Sequence, residues 1–574
     1  MKQVSPVLGP SRIVQWSFLA CFVGVLLRAT WLHMTPISHQ KLEWLSDNQY
    51  VAQVQIPPYR GQIRDRRSFP LALSVRTHSI AVNPRVFAPS SEQREQLARL
   101  LELKSQKLRQ IQRHKSYFKW LKRRCTPEEV RRVRQLGLKG VHFVAEPSRY
   151  YPLGKAAAQL VGFVGVDQKG LLGLEYQLEQ KLAGRAARLL QLRDARGRQI
   201  LLKPSSAAPE VSGDSVILTI DQVLQKISYR ALSEGVRSAQ AKRGFALTLD
   251  PHTGQILAMV GVPAFDPQNS QTITAYNQAN MAATYRFEPG STVKPIVVAA
   301  ALERHRVVRH QMLECGDKGR YLVHPPRQYI HDDHPYEQLS VEEVLHKSSN
   351  ICTYKIAQEL GKEHLYQAYL SYGLGGGGHE VEGTGMVKGA LRRWEDWKPL
   401  QFATISFGQG FMTTGLEMVT AYAVFANGGR RVEPYLLSRV ESATGKILKE
   451  NRPRLGKRLL SHENARSMRE ILQGAVEHGT GGQARSLRYT TAGKTGTAEI
   501  FDLEKGRYSK QRRNASFIGL GPVSEPHLVV FVLIEEPRRK PYYGGRWAAP
   551  VFRRIVEESL DYLHVKPDRR SLTI

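Results

Sequence analysis

Cysteine is scarce: four in 574 residues are too few to staple a disulfide scaffold, so packed cores have to hold the fold. Acidic residues are also in deficit, 51 against 83 Lys and Arg, which leaves a formal net charge of +32. Long apolar runs are absent but for one near the N-terminus, and this excludes a polytopic membrane protein. What remains is 41% apolar and 23% charged, a globular composition with length for about three domains. The charge surplus invites a nucleic-acid reading, yet no recognition motif and no aromatic-basic interleave accompanies it.

The one apolar run, residues 13–32, has the roughly 20-residue length that crosses a bilayer core. Arg28 can snorkel to the interface, and Trp16 and Trp31 stand where interfacial aromatics are expected. Lys2 and Arg12 precede it without an acidic residue, so the positive-inside rule keeps the short tail in the cytoplasm. The run outlasts a signal-peptide core, and neither Ala20 nor Ala29 lies in a small-x-small cleavage site; an uncleaved anchor is expected. Everything after about His33 then lies outside the inner membrane, away from nucleic acid. In that oxidising space Cys125, Cys315 and Cys352 allow at most one internal disulfide. Cys315–Cys352 is possible, but sequence alone does not establish it.

The remainder divides into a mixed region and a larger one. RGQIRDRRSFPLALSV opens the first as a turn and strand in which Leu71, Leu73 and Val75 alternate. A helical, very basic stretch is expected from about Ser91 to Gly137. Residues 94–139 hold 15 basic and 4 acidic residues, about a third of the whole surplus. Lys119, Lys122, Arg123 and Arg124 within it form a candidate face for a partner or the membrane surface. A strand, a glycine-containing turn and an amphipathic helix follow, and KPSSAAPEVSGD reads as a linker. Beyond it, residues 216–220 read as a strand, 222–239 as a helix, and 245–249 with 255–260 as a hairpin across DPHTG. The expected fold class is α+β, an antiparallel sheet flanked by helices.

Three short motifs carry chemistry. In GSTVKP, Ser291 and Lys294 are three apart at the start of a helical segment, so hydroxyl and amine share one face. The positive end of a helix favours a developing oxyanion, and a hydroxyl needs a nearby base to become a nucleophile. A lysine whose pKa is lowered by burial can be that base. In KSSNIC, Ser348 and Asn350 lie two apart on a turn and can bridge a catalytic lysine and a substrate amide; a plain polar helix cap reads equally well. In AGKTGTAE, Lys494, Thr495, Gly496 and Thr497 occupy a short alternating strand. Glycine there lets a substrate backbone approach, while the lysine and threonines offer a cation and hydroxyls to a carboxylate.

Each motif alone is weak, but S-x-x-K, S-x-N and K-T-G in that order are the signature of the penicillin-recognising serine acyltransferases. The resemblance covers almost the whole chain. RGQIRDR, RYYP, VGFVGVDQKGLLGLE, TLDPHTGQILAMV, FEPGSTVKP, KSSN, SFGQG and YYGG followed by APVF resemble class B penicillin-binding proteins of the division-specific, FtsI type. This implies a peptidoglycan D,D-transpeptidase anchored in the inner membrane, with a pedestal and a penicillin-binding transpeptidase domain and without cofactor or metal. By the same resemblance Ser291 is the acyl-ester nucleophile, Lys294 its general base, and Ser348 and Asn350 the relay and orienting pair. Lys494 supplies positive potential; Thr495 and Thr497 hold the terminal carboxylate, with Gly496 between them as a further substrate-binding residue; the amides of Ser291 and Thr497 form the oxyanion hole. Stem pentapeptides ending in D-Ala-D-Ala, and β-lactams in their place, are the implied ligands. A SEDS glycosyltransferase of the FtsW kind and other divisome proteins are the implied partners at the septum. The implied plan is a cytoplasmic tail at 1–12, a transmembrane helix at 13–33, a periplasmic pedestal at 34–205, a linker at 206–214, the transpeptidase domain at 215–565 and an unstructured tail at 566–574.

Some features depart from that pattern or mislead. GLGGGGHEVEGTG is richer in glycine than the family's usual turn. Gly373, Gly375 and Gly378 match G-x-G-x-x-G formally but follow a helical stretch, so the dinucleotide reading fails its context. His331-Asp-Asp-His334 with His324 has no standard metal-ligand spacing and reads as a loop. Tyr542 and Tyr543 read as a strand-edge turn near the cleft. An elongation-specific relative is the alternative function; a hydrolase or a catalytically silent β-lactam-binding scaffold fits the anchored chain with its intact motifs less well.

Overall fold

A computed structural model of the protein describes residues 10–34, 51–56, 58–185, 187–193, 199–203, 212–316, 318–502 and 505–569. Its contacts divide the chain into two compact units. The first contains the helix Pro10–Met34 and a three-stranded antiparallel sheet of Val51–Ile56, Ala187–Arg193 and Gln199–Lys203, in that order. Within the helix, Arg12–Met34 has a mean hydropathy of 1.6, and no residue of its most apolar stretch is buried. The Ser17 and Thr30 hydroxyls donate to the carbonyls of Ile13 and Leu26, four residues back, which satisfies them without water. This is a helix suited to anchor the chain in a membrane.

The second unit, Tyr59–Gly184 with Ser212–Ile574, begins with the pedestal. Its spine is the strand Pro70–Val82, which pairs antiparallel with Val141–Tyr150 on one side and Lys119–Cys125 on the other. The helices Ser91–Leu101 and Pro127–Gln135 both start at capping boxes, Ser90 with Gln93 and Thr126 with Glu129. Leu97, Leu101, Leu108, Leu121 and Val133 fill the core beneath them.

The basic stretch expected to be one helix is therefore interrupted by a strand. Lysine and arginine favour a helix only weakly, and pairing to the open edge of the spine, with Leu121 and Cys125 turned inward, overrides that preference. Its cations are also less available than the sequence suggested. Lys122 pairs with Glu129 at 2.6 Å, Arg123 with Glu146 at 2.9 Å and Asp167 at 3.3 Å, and Arg124 donates to the carbonyls of Gly165 and Val166. The amphipathic helix expected after the glycine turn is split into Gly173–Gln177 and Glu179–Leu182. In the first of them Glu175 is fully buried and receives two arginines, Arg60 of RGQIRDR and Arg149 of RYYP, the latter at 2.7 Å.

Ladder bonds run on into the catalytic half: Ile63–Arg64 pairs in parallel with Ser215–Leu218, which pairs with Leu437–Glu441. The catalytic sheet has five antiparallel strands, β1 (Arg243–Leu249), β2 (Ile256–Val262), β3 (Ala492–Asp502), β4 (Arg507–Gly521) and β5 (Leu528–Glu535), in the order β2-β1-β5-β4-β3. Around it lie α1 (Gln222–Ser238), α2 (Lys294–Glu303), α3 (Val341–Lys347), α4 (Asn350–Leu360), α5 (Gly415–Ala426), α6 (His462–Glu477) and α7 (Gly544–Tyr562). All eight residues of β5 are buried. Val530, Val532 and Ile534 join one core with α1 and α7, and Val529, Phe531 and Leu533 the other with α2 and α5. Helix α2 is buried from Lys294 through Leu302, a central post apolar on every side.

Two expectations need correction here. The K-T-G segment lies in an eleven-residue strand, not a short one, and its residues are buried on both faces rather than in alternation. The expected unstructured C-terminal tail begins ordered, because Asp568 accepts the Thr490 amide at 2.7 Å and Arg569 donates to the Tyr489 carbonyl at 3.1 Å. Residues 206–211 of the expected linker and 570–574 of the tail lie outside the described residues.

Candidate active site

Ser291 sits in the 3-10 turn Gly290–Val293, which leads directly into α2. Three contacts fix this turn. Gly290 donates to the Gly408 carbonyl at 2.9 Å, Thr292 Oγ1 donates to the Pro289 carbonyl at 2.7 Å, and buried Tyr422 of α5 donates to the Thr292 carbonyl at 2.6 Å. Gly408 belongs to the SFGQG segment; a Cβ on it would stand 2.6 Å from the Gly290 nitrogen, so only glycine lets this strap close over the turn. On the other side, a Cβ at Gly496 would come within 2.8 Å of Thr292 Cγ2 and 3.3 Å of the Pro289 carbonyl. Gly496 thus seats the serine turn against β3, a packing reason that stands beside the access expected of it.

Lys294, one turn on, is fully buried, and its Nζ donates to the Ser348 carbonyl at 2.5 Å, to Ser348 Oγ at 3.4 Å and to Asn350 Oδ1 at 2.7 Å. The Ser291 hydroxyl is not among its hydrogen-bond partners. Burial lowers the Lys294 pKa to about 7 against the opposing pull of Asp332 and Asp333. Ser348 closes α3 in the left-handed region, φ 62°, and this tight reversal turns its side chain and carbonyl toward Lys294. Asn350 opens α4, with Ser349 as its cap.

Lys494 is the second fully buried lysine. Among the described residues its Nζ donates to the Thr495 carbonyl and hydroxyl alone, at 3.4 and 3.3 Å. Burial first, then the charge of Lys294, lowers its pKa, with Asp333 opposing. Thr495 Oγ1 lies 2.8 Å from Thr480 Oγ1, and Thr497 Oγ1 accepts the Gly544 amide at 3.2 Å. Among the described residues β3 is the last strand of its sheet, with one backbone edge unpaired beside these groups.

Ser291, Ser348, Asn350, Thr495 and Thr497 all line one cleft of about 940 Å³; Lys294 and Lys494 do not line it but are buried behind it, bonded to Ser348 and Asn350 and to Thr495 of its wall. Tyr543 lines it too, as expected of the tyrosine-glycine segment. Sequence reasoning missed Thr480 and Tyr422, which have no motif of their own, and quoted SFGQG without assigning Gly408 a role. It also missed the use of the His-Asp-Asp-His run: Asp332 accepts the Ser349 hydroxyl at 2.6 Å and the amides of Asn350 and Ile351, and Asp333 lines the cleft. The Cys315–Cys352 disulfide left open by the sequence is formed, with Cα atoms 5.1 Å apart.

A serine at a helix start, a buried lysine of lowered pKa and a free strand edge on one cleft define a serine acyltransferase site. Comparison with known proteins agrees. A family model of the penicillin binding protein transpeptidase domain matches residues 244–557, and one of the penicillin-binding protein dimerisation domain matches residues 55–218. The probable peptidoglycan D,D-transpeptidase PenA of Neisseria gonorrhoeae is 34% identical over 573 residues, 98% of this chain and 95% of that protein. The peptidoglycan D,D-transpeptidase FtsI of Escherichia coli K12 is 30% identical over 576 residues, 97% of this chain and 94% of its own. The crystal structure of penicillin binding protein 3 from Mycobacterium tuberculosis complexed with aztreonam matches with a TM-score of 0.69 at 25% identity, covering 90% of this chain and 98% of that one. The chain belongs to the penicillin-binding protein transpeptidases, the serine acyltransferases that work as peptidoglycan D,D-transpeptidases.

Proposed function

We propose that the protein crosslinks peptidoglycan stem peptides at the division septum through an acyl-enzyme on Ser291. The neutral amine of Lys294 takes the Ser291 proton as Oγ bonds to the penultimate D-Ala carbonyl. The amides of Ser291 and Thr497 face the resulting oxyanion. As the peptide bond breaks, Ser348 passes the proton to the departing D-Ala amine. An amine of a neighbouring strand then attacks the ester, gives up a proton along the same relay, and Ser291 leaves reprotonated. A β-lactam enters at the first step and stays as the ester.

The observation that carries this reading is Lys294, fully buried, of pKa about 7, and held by Ser348 and Asn350, which line the same cleft as Ser291. A base poised near the working pH combines the right protonation state with proton affinity. The open edge of β3 offers backbone groups to an extended stem peptide, and its terminal carboxylate meets Thr495 and Thr497. That carboxylate favours the cation of Lys494, so positive potential arises there when substrate arrives.

The test is labelling of membranes with a fluorescent penicillin. Wild type is expected to label and Ser291→Ala to lose the band entirely; a band in the variant overturns the nucleophile assignment. The septal role, with the catalytic unit in the periplasm and an FtsW-type glycosyltransferase as partner, rests on the division-type motifs and the FtsI relative. Depletion is expected to give filaments, whereas round cells would indicate elongation.

A further inference from the structure

We propose that Asp332 is a positioning residue of this reaction, holding Asn350 so that Asn350 in turn holds Lys294 against the cleft. The inference rests on Lys294 being the base. Asp332 lies in the arm between β-hairpin strand Gln328–His331 and α3, and its carboxylate is used completely. One oxygen accepts the Ser349 hydroxyl at 2.6 Å; the other accepts the backbone amides of Asn350 and Ile351. These amides belong to the first turn of α4 and have no partner within the helix. A carboxylate there also complements the positive end of the helix.

The side chain of Asn350 is oriented by the same arm. Its Nδ2 donates to the His331 carbonyl at 2.8 Å, which leaves Oδ1 as the atom facing Lys294, 2.7 Å from Nζ. His331 and Asp332, adjacent in sequence, thus fix both the backbone and the amide plane of the residue that carries the lysine. The Cys315–Cys352 disulfide secures the arrangement from a second direction: Cys315, whose amide donates to the Glu337 carbonyl of this arm at 2.8 Å, is joined by it to α4, two residues beyond Asn350.

The groups that face Lys294 are Asp332 and Asp333 from this arm and Lys494 from β3. Both carboxylates favour the lysine cation. Removing Asp332 therefore has two separable effects. It loosens Asn350, which slows acylation, and it deletes one negative charge near Lys294, which lowers the pH at which the amine becomes neutral. A residue that only capped α4 would leave the rate in the folded fraction unchanged: the limb reads the charge, and the rate reads the positioning.

The experiment measures the second-order acylation rate by a penicillin for the full chain in detergent micelles, from acid to alkaline pH, together with thermal unfolding. Asp332→Asn is expected to slow acylation about tenfold or more on the alkaline plateau and to move the acid limb to lower pH. Asp332→Glu restores the charge but misplaces it, so its acid limb returns toward wild type while its rate stays low. A Cys315→Ser, Cys352→Ser double variant frees the arm with every charge kept, and is expected to slow acylation with an unmoved limb. It also decides the matter if Asp332→Asn does not fold. Wild-type rate and profile in Asp332→Asn, a loss of unfolding temperature with the limb unmoved, or full activity in the folded double variant would overturn the proposal. Failure of the Lys294 reading shows separately, as an acid limb that persists in a Lys294 variant.

Discussion

Four fully or nearly fully buried cations are handled in opposite ways in the pedestal and in the catalytic cleft. Arg60 and Arg149 converge on Glu175, which gives one oxygen to each, and Arg60 also reaches Glu179 at 2.7 Å. Burial pulls the Arg60 pKa down, but Glu175 and Glu179 more than offset it. Lys294 and Lys494 have no carboxylate within ion-pair distance among the described residues; burial outweighs the more distant Asp332 and Asp333 and lowers both pKa values. The permanent cation is used where a charge has to be held, and the titratable one where a proton has to move.

The largest expected effect comes from forcing the pedestal's rule on the cleft. Lys294→Arg keeps a cation at the same place but removes the neutral form, so penicillin acylation is expected to fall about 10²–10⁴-fold. Stopped-flow or gel-based acylation rates read this, and a variant within about twofold of wild type would mean that Lys294 is not the base. In the opposite direction, Glu175→Gln leaves two buried guanidiniums short of their counter-charge. It is expected to cost about 3–5 kcal/mol of stability by denaturant unfolding, with acylation retained in whatever fraction remains folded.

A smaller effect has the reverse sign. The Lys294 amine titrates at about 7 in the folded protein and near 10.5 in the unfolded chain. Between these values the unfolded state holds the extra proton, so stability rises with pH across the window and the contribution is lost as pH falls through 7. Lys294→Met removes that dependence and is expected to raise stability by about 0.5–2 kcal/mol near neutral pH while abolishing acylation. Unfolding curves at several pH values check it. In wild type the same titration gives acylation an acid limb near pH 7, about tenfold per unit below it.

The contrast also explains what was legible in the sequence. Ser291, Lys294, Ser348, Asn350 and the K-T-G run could be read because proton transfer needs particular residue types at short, fixed spacings. The hairpin of β1 and β2 and helix α1 were readable from periodicity and turn chemistry close to their observed bounds. Asp332 could not be read, because its partners Ser349 to Ile351 lie 17 to 19 residues away and Asp-Asp suits any loop. The strand Lys119–Cys125 escaped for a related reason: nothing local in KWLKRRC opposes a helix, and its strand partners are about 40 residues upstream. Glu175 likewise shows nothing in sequence of the two arginines that reach it from 115 and 26 residues away.

The smallest expected effect tests whether pairing, rather than sheer positive charge, organises the pedestal surface. Arg123 and Lys107 belong to the same basic stretch and differ in surroundings. Arg123 is held between Glu146 and Asp167, with its guanidinium 5.2 Å from the Trp120 ring centre, whereas Lys107 is exposed and makes no ion pair among the described residues. Reversing Arg123 to Glu places three carboxylates together and is expected to cost about 1 kcal/mol. Reversing Lys107 to Glu is expected to fall within about 0.5 kcal/mol of wild type, although both changes subtract the same two charges. Paired denaturant midpoints with equal slopes measure the difference. Equal costs would mean that the summed field of a +32 chain, not the local ion pair, sets the stability of this surface. Unequal costs would leave the unpaired lysines with no part in folding, and so free to be tested for contact with a partner or anionic lipid.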